Sequence, residues 1–257
     1  HHPVAVAEQT ASLDIISGGK FLFGVGQGYR DVEFESFGLR KKDRRRRMAE
    51  GMELIRRLWS EDNVTFEGRF FKLNGVTIAP KPLQKPGPPV FVGADVLQTV
   101  ARVPEVGDYW IASRRHTKSF LREAVPIYQR ALGEHGKDFK GLFMFRDLCV
   151  AESTAEAEKR IKEAYERMYQ VYHKWGQPGE RYDVGFDELK RERLIVGSPE
   201  EVAHQVLAYH REFGARFMSF TVHWPGMDHR WTLETIKLFG ERVIPEVNRL
   251  APEGLLP

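Results

Sequence analysis

Cysteine is almost absent from this sequence: Cys149 is the single cysteine among 257 residues. One thiol excludes an internal disulfide and any metal site built from several cysteines. The apolar neighbours Leu148 and Val150 predict that this thiol is buried in a strand. Such sparing use of cysteine is typical of a reducing compartment, so we expect a cytoplasmic location.

Long apolar runs are missing as well. No stretch approaches the roughly 20 apolar residues that a membrane-spanning helix requires. The opening residues His1, His2 and Pro3 resemble neither a signal peptide nor a transit sequence. The sequence therefore predicts neither secretion nor a membrane partner.

An excess of charge of one sign is also lacking, because 39 Lys and Arg residues face 36 Asp and Glu residues and give a formal net charge of +3. This balance argues against nucleic acid as a partner and leaves anionic small molecules as plausible ligands. The basic run at residues 40–47 stands alone and continues into an amphipathic helix. We interpret it as a solvated face or a subunit contact.

Two catalytic motifs are absent. The sequence contains no H-E-x-x-H motif for a metal site and no G-x-S-x-G motif for a serine hydrolase. No comparable cluster of metal-ligating residues stands out, so we predict no metal cofactor. Metal-free redox chemistry remains compatible with the sequence.

What the sequence does contain is an alternation of short apolar runs with longer helical patterns. Helical spacing predicts helices at residues 4–13, 44–59, 118–134, 153–175 and 232–247. Apolar runs predict strands at 21–25, 90–93, 108–112, 142–150 and 217–223, with a hairpin formed by 64–66 and 70–73. This order is typical of an α/β protein with a parallel sheet and crossover helices.

We expect a single domain over residues 1–257, because no interdomain linker or internal repeat is evident. Residues 176–197 lack clean periodicity and mix Gly, Pro and charged residues. This segment is predicted to be a mobile excursion over the carboxyl ends of the strands and a candidate lid. Capping boxes are predicted where helices begin, at Ser153 and at Ser198.

A glycine-rich turn follows the first predicted strand, at Gly24, Gly26 and Gly28, with Gln27 before the last of them. In the dinucleotide fingerprint G-x-G-x-x-G the third glycine would fall at the position of Tyr29. We therefore interpret the turn as a tight strand exit that lets a ligand or another backbone segment come close.

A second turn, formed by Gly93, Ala94 and Asp95, joins a predicted strand to a predicted helix that continues through Thr99. A helix start that follows small residues presents backbone N–H groups to an anion, and Thr99 adds a hydroxyl one turn later. These residues are a candidate phosphate site. The alternative is that Asp95 caps the helix and Thr99 faces solvent.

Three side chains are candidates for catalysis. Arg146 interrupts an apolar strand, and Asp147 follows it on the opposite face. A buried guanidinium needs an anionic partner, which is either a ligand or a structural salt bridge. His223 and Trp224 end the last predicted strand, the position from which catalytic side chains project in a (β/α)₈ barrel; the alternative for His223 is a structural role.

Several phrases carry a family resemblance when they are taken in order. They are L-D-I-I-S-G-G-K-F at 13–21 running into G-V-G at 24–26, the segment at 28–38, F-E-G at 66–68, P-V-F-V-G-A at 89–94, and K-L-F at 237–239 with V-I-P at 243–245. Together they span nearly the whole chain, and their order and spacing resemble the bacterial luciferase-like monooxygenase family.

This resemblance implies a (β/α)₈ TIM barrel that binds a reduced flavin, or a deazaflavin, at the carboxyl ends of its strands. It begins just before the family's fourth strand, which implies that the first three strand–helix units are absent from this chain. We expect residues before His1 to complete the barrel. The absent part normally contributes flavin and substrate contacts.

The resemblance also implies roles for residues near the flavin phosphate. Gln27 matches a position that approaches the phosphate in luciferase, where the residue is arginine. Ala94, Asp95 and Thr99 match the family's phosphate site, although Val96 replaces its serine. Phosphate binding through the backbone and Thr99 is therefore the expectation for this turn.

Three further residues match positions near the active site. Trp110 matches a tryptophan near the flavin in luciferase. Arg146 resembles an active-site arginine of alkanesulfonate monooxygenases, and Trp224 stands where those enzymes have a tyrosine before proline. Their histidine two residues after the arginine is Leu148 here, which argues against a sulfonate substrate.

The activity implied by the resemblance is that of a two-component monooxygenase, which takes reduced FMN from a separate flavin reductase and uses O2 to oxidise a small organic substrate. No NAD(P)H site is apparent, in keeping with borrowed reduced flavin. The alternatives are a deazaflavin-dependent dehydrogenase or reductase and a non-catalytic flavin-binding partner subunit. Resemblance and amphipathic helices together predict a homodimer or a higher homo-oligomer.

Overall fold

The computed structural model describes residues 1–175 and 181–251. The chain divides into two compact units. The first unit consists of residues 1–93 and 101–110, and the second begins with residues 94–100 and continues from residue 111.

Helices and short strands alternate along the described chain. The helices are α1 Pro3–Ile16, α2 Asp31–Ser36, α3 Arg44–Ser60, α4 Leu97–Val100, α5 Val103–Val106, α6 Lys118–Glu134, α7 Thr154–Lys174, α8 Phe186–Glu192, α9 Pro199–Phe213, α10 His229–Leu238 and α11 Ile244–Leu250. The strands are β1 Phe23–Val25, β2 Val64–Glu67, β3 Lys72–Val76, β4 Val90–Gly93, β5 Tyr109–Ala112, β6 Leu142–Val150, β7 Leu194–Gly197 and β8 Ala215–Thr221. The alternation and the parallel pairing described below confirm the α/β class.

In the first unit, β1 and β4 form a parallel pair, with Phe23 opposite Val90. The antiparallel pairing of β2 with β3 confirms the predicted hairpin. The helical pattern at residues 44–59 is confirmed as α3, which buries its apolar stripe. Trp59 is fully buried there, and its indole N–H donates to the backbone oxygen of Ala7 in α1 at 3.3 Å. Burying an aromatic side chain of this size contributes about 1.5–3 kcal/mol.

In the second unit, β6 is the central strand of a parallel sheet. The carboxyl-terminal half of β6 pairs with β7, and residues Leu142–Asp147 pair with β8. The last two residues of β5 pair with Phe143 and Met144 of β6. Because parallel strands end at one edge of a sheet, the segments that follow β5, β6 and β8 meet at the same edge.

Helix starts in the second unit are capped by side chains. Ser198 and Glu201 form the reciprocal capping box predicted for α9. At α7, Ser153 accepts a hydrogen bond from the backbone N–H of Glu156, which is one half of the predicted box. The carboxylate of Glu156 bonds Arg160 instead. The two serines therefore fix where these long helices begin.

Three predicted segments differ from the structure. The last strand is β8, Ala215–Thr221, which begins and ends two residues earlier than predicted, so His223 lies after it. The helix expected to start near Asp95 is α4, which has only four residues. Residues 194–197, which we expected to belong to the mobile excursion, form the buried strand β7 paired with β6. The flanking charges obscured this apolar run in the sequence. Residues 176–180 of the predicted excursion lie outside the described residues, and movement of the segment before β7 stays a prediction.

Cys149 is buried in β6, as its apolar neighbours predict, and burial raises the pKa of its thiol to about 11. Within the described ranges, no helix has the length and apolar character needed to cross a membrane.

Candidate functional site

A polar cluster lies at the carboxyl edge of the sheet in the second unit. Residues 113–117 follow β5 directly and connect it to α6. Arg114, Arg115 and His116 belong to this connection, and each contacts a carboxylate from another segment. Loops at the carboxyl ends of parallel strands are the usual place for binding residues in α/β folds.

Arg115 and His116 hold the carboxylate of Asp95. Arg115 Nη2 lies 2.7 Å from Asp95 Oδ2, and His116 Nε2 lies 3.2 Å from Asp95 Oδ1. Burial alone would raise the pKa of Asp95, but the hydrogen bond from His116 and the charge of Arg115 outweigh it and hold the pKa below its usual value. Asp95 is therefore ionised at neutral pH, with its negative charge compensated by Arg115 and a second hydrogen bond from His116.

The imidazole of His116 is almost fully buried, and desolvation lowers its pKa despite the nearby carboxylate of Asp95. The ring is therefore neutral at pH 7. Because an ionised carboxylate can only accept hydrogen bonds, we assign the proton to Nε2, which donates to Asp95. His116 thus fixes Asp95 without adding a charge.

The hydroxyl of Thr99 forms hydrogen bonds with the backbone of Val96, just before α4. This hydroxyl donates to the backbone oxygen of Val96 at 2.8 Å and accepts from the backbone N–H of Val96 at 3.3 Å. Asp95 makes its recorded side-chain bonds to Arg115 and His116 rather than to the start of the helix. The turn therefore differs from the predicted alternative, in which Asp95 caps the helix.

Arg114 is held by three other segments. Its Nη1 lies 3.3 Å from Oδ1 of Asp147 in β6 and 3.1 Å from Oγ1 of Thr221, the last residue of β8. Its Nη2 donates to the hydroxyl of Tyr172 in α7. One quarter of the Arg114 side chain is exposed (25%). The guanidinium is therefore fixed at the sheet edge and still reached by solvent.

Asp147 is fully buried beneath Arg114. Tyr165 donates a hydrogen bond to Oδ2 of Asp147 at 3.0 Å, and the Tyr169 hydroxyl lies 3.5 Å from the same atom. Burial raises the pKa of Asp147 to about 6, against the charge of Arg114 and the bond from Tyr165. This carboxyl therefore changes its protonation close to physiological pH.

Aromatic residues join the Asp95 group to the Asp147 group. Arg115 Nη1 lies 3.3 Å from the hydroxyl of Tyr182, and the rings of Tyr182 and Tyr172 are 6.2 Å apart. The buried guanidinium of Arg193 lies beside the rings of Tyr169 and Tyr182. Its Nε donates a hydrogen bond to the backbone oxygen of Arg115 at 2.7 Å. The two carboxylate groups therefore belong to one connected cluster.

Arg146 lies on the opposite face of β6 from Asp147, as strand alternation requires. Its Nη1 donates to the backbone oxygens of Ser113 and Phe145, and its guanidinium lies 4.8 Å from the ring centre of Tyr209. Among the described residues it forms no ion pair. The structural salt bridge, one of the two predicted alternatives for Arg146, is therefore not found in the described part of the chain, and an anionic ligand as its partner stays a prediction.

His223 and Trp224 follow β8 and have different surroundings. His223 is exposed, and its Nδ1 lies 2.8 Å from the hydroxyl of Thr232. Trp224 is buried, and its ring packs edge-on against Tyr165 at 5.7 Å. Through Tyr165, Trp224 contacts the aromatic side of the cluster, whereas His223 faces solvent.

The remaining predicted cofactor residues lie in the first unit. Gly26 and Gln27 follow β1 and line a cleft of about 670 Å³. Gly28 has a positive φ of +74°, and a side chain there would meet the Phe34 ring at 3.2 Å, so the turn requires glycine. Gly93 ends β4, and Trp110 is fully buried in β5.

The sequence pattern missed most of the cluster. Ser113, Arg114, Arg115 and His116 form a polar run directly after a predicted strand, and that position is itself a signal for a binding loop. Three tyrosines of α7 recur at helical spacing and would have indicated a shared face: Tyr165, Tyr169 and Tyr172. The spacing did not reveal that this face covers Asp147.

Comparison with known proteins gives a family and several relatives. The model of the luciferase-like monooxygenase family matches residues 1–216. An FMNH(2)-dependent dimethylsulfone monooxygenase of Pseudomonas putida is 24% identical over 271 aligned positions, which cover 98% of this chain and 72% of that protein. An F420-dependent hydroxymycolic acid dehydrogenase of Mycobacterium tuberculosis is 34% identical over 118 residues, which cover 45% of this chain and 32% of that protein.

A solved structure with the same fold is monooxygenase RslO1 from Streptomyces bottropensis. The two structures superpose with a TM-score of 0.82 at 26% sequence identity. The match covers 95% of this chain and 74% of RslO1.

Proposed function

Because this chain belongs to the luciferase-like monooxygenase family, we propose that it is a monooxygenase that uses reduced FMN and O2 to oxidise a small organic substrate. The oxidoreductase class follows from the family, whereas the choice of FMN is our proposal. A separate flavin reductase would supply the reduced cofactor. The same proposal includes a homodimer or a higher homo-oligomer.

The observation that carries this proposal is the compensated carboxylate of Asp95. An acidic residue beside a phosphate site would repel a phosphate dianion, but Arg115 and His116 hold this carboxylate from two sides. Arg115 and the hydroxyl of Thr99 are donors of the kind that bind phosphate. This donor set fits the terminal phosphate of FMN, and we assign Thr99, Arg115 and the backbone at Ala94 to it.

Reduced FMN, when bound, supplies two electrons with which one oxygen atom of O2 enters the substrate and the other leaves as water. The protein binds and orients the cofactor and the substrate, and it shields them from water. The buried side chains of Tyr165, Tyr169 and Trp224 exclude water on one side of the cluster. His223, exposed two residues after β8, is the proposed group that exchanges protons with the substrate.

The test follows O2 and hydrogen peroxide together. Anaerobically reduced FMN is mixed with the protein and O2, in the presence of each member of a panel of small organic compounds. A monooxygenase diverts oxygen into product and water, so a true substrate lowers the hydrogen peroxide released per O2 consumed. Free reduced FMN without protein gives the baseline. A yield equal to that baseline with every compound would contradict the proposal.

A second candidate is a deazaflavin-dependent dehydrogenase, which the local identity of 34% to the F420-dependent dehydrogenase favours. In the parallel assay, a dehydrogenase would reduce the oxidised deazaflavin coenzyme with a substrate and would consume no O2. A protein that binds a flavin but alters neither the hydrogen peroxide yield nor the reduction of the deazaflavin coenzyme would instead be the non-catalytic partner subunit.

A further inference from the structure

Arg114 combines rigid positioning with partial exposure. Asp147, Thr221 and Tyr172 hold its two terminal nitrogens, and these partners come from β6, β8 and α7. A mobile arginine loses side-chain freedom when it binds a ligand, which opposes binding. For Arg114 the fold has already supplied most of this ordering.

The charge of Arg114 is only partly compensated. In the described part of the chain, Asp147 is its one carboxylate partner. Arg146, on the other face of the strand, also adds positive charge near that carboxylate, whose burial favours the neutral acid. When Asp147 takes up a proton, Arg114 has no recorded carboxylate partner among the described residues. A guanidinium in this position favours an anionic ligand.

One aromatic ring lies directly beside this cation. The Arg114 guanidinium lies 5.7 Å from the ring centre of Tyr172, whose ring is also near Tyr169 and Tyr182. Tyr169 and Tyr182 are buried, so the partly buried ring of Tyr172 is the one that offers apolar surface to a hydrocarbon chain, while its hydroxyl stays hydrogen-bonded to Arg114. A cation beside an accessible aromatic ring is complementary to an organic acid.

We propose that Arg114 binds the carboxylate of a small organic acid, and that Asp147, Tyr172 and Thr221 are positioning residues for its guanidinium. The identification of this acid as the substrate rests on the proposed function. Arg115 contacts Asp95 and is assigned to the phosphate, so the carboxylate and phosphate sites use different guanidiniums of one loop. The planar fork of arginine suits a carboxylate because it donates two parallel hydrogen bonds.

The test is equilibrium binding of two matched probes, hexanoate and its neutral isostere hexanamide, to the protein without flavin. We expect saturable hexanoate binding that is at least about tenfold tighter than that of hexanamide. Arg114→Gln should remove this preference, and Arg114→Lys should restore part of it, because lysine keeps the charge but lacks the fork. Arg122→Gln is the matched control, because Arg122 is an exposed arginine of the same unit paired with Glu212.

A pH series separates positioning from a general structural effect. The charged and titratable groups recorded around Asp147 are Arg114, Arg146, Tyr165 and Tyr169. Hexanoate affinity should rise as pH falls through about 6 in the wild type, because a proton on Asp147 removes the competing carboxylate. Hexanoate itself stays ionised there, because simple carboxyl groups have pKa values of about 4 to 5. Asp147→Asn should abolish this dependence.

Several outcomes would overturn the proposal. They are equal affinity for hexanoate and hexanamide, absence of saturable hexanoate binding, and an unchanged preference in Arg114→Gln. If hexanoate binding is lost in Arg115→Gln but retained in Arg114→Gln, the anion binds at Arg115, and this result would equally contradict the proposal. If Arg114→Gln does not fold, Arg114→Lys and Thr221→Val decide the question, since both should weaken hexanoate binding. No flavin enters these assays, so their failure is distinct from failure of the proposed oxygenase activity.

Discussion

The guanidinium of Arg114 lies 3.3 Å from the carboxylate of Asp147, yet burial raises the pKa of that carboxyl to about 6. The two partners differ in exposure: the Asp147 side chain is 0% exposed, and the Arg114 side chain is 25% exposed. Solvent around Arg114 screens its charge, while Asp147 loses all its hydration. Desolvation therefore outweighs the ion pair.

This asymmetry predicts how stability depends on pH. The folded-state pKa of Asp147 exceeds the ordinary value, so its contribution to the free energy of unfolding is fully present below about pH 4 and lost as pH rises through about 6. The loss amounts to about 3 kcal/mol. Asp147→Asn should therefore gain stability relative to the wild type between these pH values, as measured by urea unfolding. Asp187→Asn, at a side chain that is 95% exposed, is the control. If the free energies of unfolding of wild type and Asp147→Asn depend on pH in the same way, the prediction is contradicted.

Thr99→Ala should weaken FMN binding while leaving riboflavin binding unchanged, because riboflavin lacks the phosphate. The hydroxyl of Thr99 already bonds Val96 at 2.8 Å, so its bond to a phosphate competes with a local one. We therefore expect a loss of about 1 kcal/mol, or roughly fivefold in Kd. Fluorescence titration of both flavins measures this difference. Equal weakening of both flavins, or of neither, would remove Thr99 from the phosphate site.

His223→Gln should lower the rate of substrate-dependent oxygen consumption by about 100-fold, the usual contribution of a general acid or base. Binding of FMN should not change. Thr232→Val removes the partner of Nδ1 and should lower the rate by a smaller factor while retaining His223 itself. Steady-state rates across a pH series provide the measurement. Wild-type rates in His223→Gln would show that this histidine has no catalytic role.

A homodimer or a higher homo-oligomer is expected in solution. Apolar side chains remain exposed on α10 and α11 of the described chain, including Leu233, Ile236 and Ile244. Exposed apolar residues that recur along a helix are frequent at subunit contacts. Light scattering at micromolar concentrations gives the mass directly, and a monomer would contradict the expectation.

The long elements could be predicted from the sequence because periodicity and capping agree with each other. Leu142–Val150 and Lys118–Glu134 have the predicted boundaries, and α9 begins at the predicted box of Ser198 with Glu201. Strand β7 was missed because its four residues lie between the charged helix α8 and Ser198, the residue that caps α9. A short apolar run gives too little periodicity to identify a strand.

The site was harder to predict because it depends on register. Alternation placed Arg146 and Asp147 on opposite faces of one strand, but it does not say which face meets the binding loop. The pairing of β6 with β8 brings Asp147 opposite Thr221, and α7 then covers Asp147 with Tyr165. These contacts join residues far apart in sequence, and no local pattern encodes them.

The most direct measurement of the central claim is the dissociation constant of FMN and of riboflavin for the wild type and for Arg115→Gln. If Arg115 holds the phosphate, the variant should bind FMN about 10- to 100-fold more weakly, as expected for a charge-assisted hydrogen bond worth about 1.5–3 kcal/mol. Riboflavin should bind both proteins equally. Equal FMN affinity in the two proteins, or an equal loss for both flavins, would contradict the assignment of the flavin phosphate to Arg115 and the neighbouring turn.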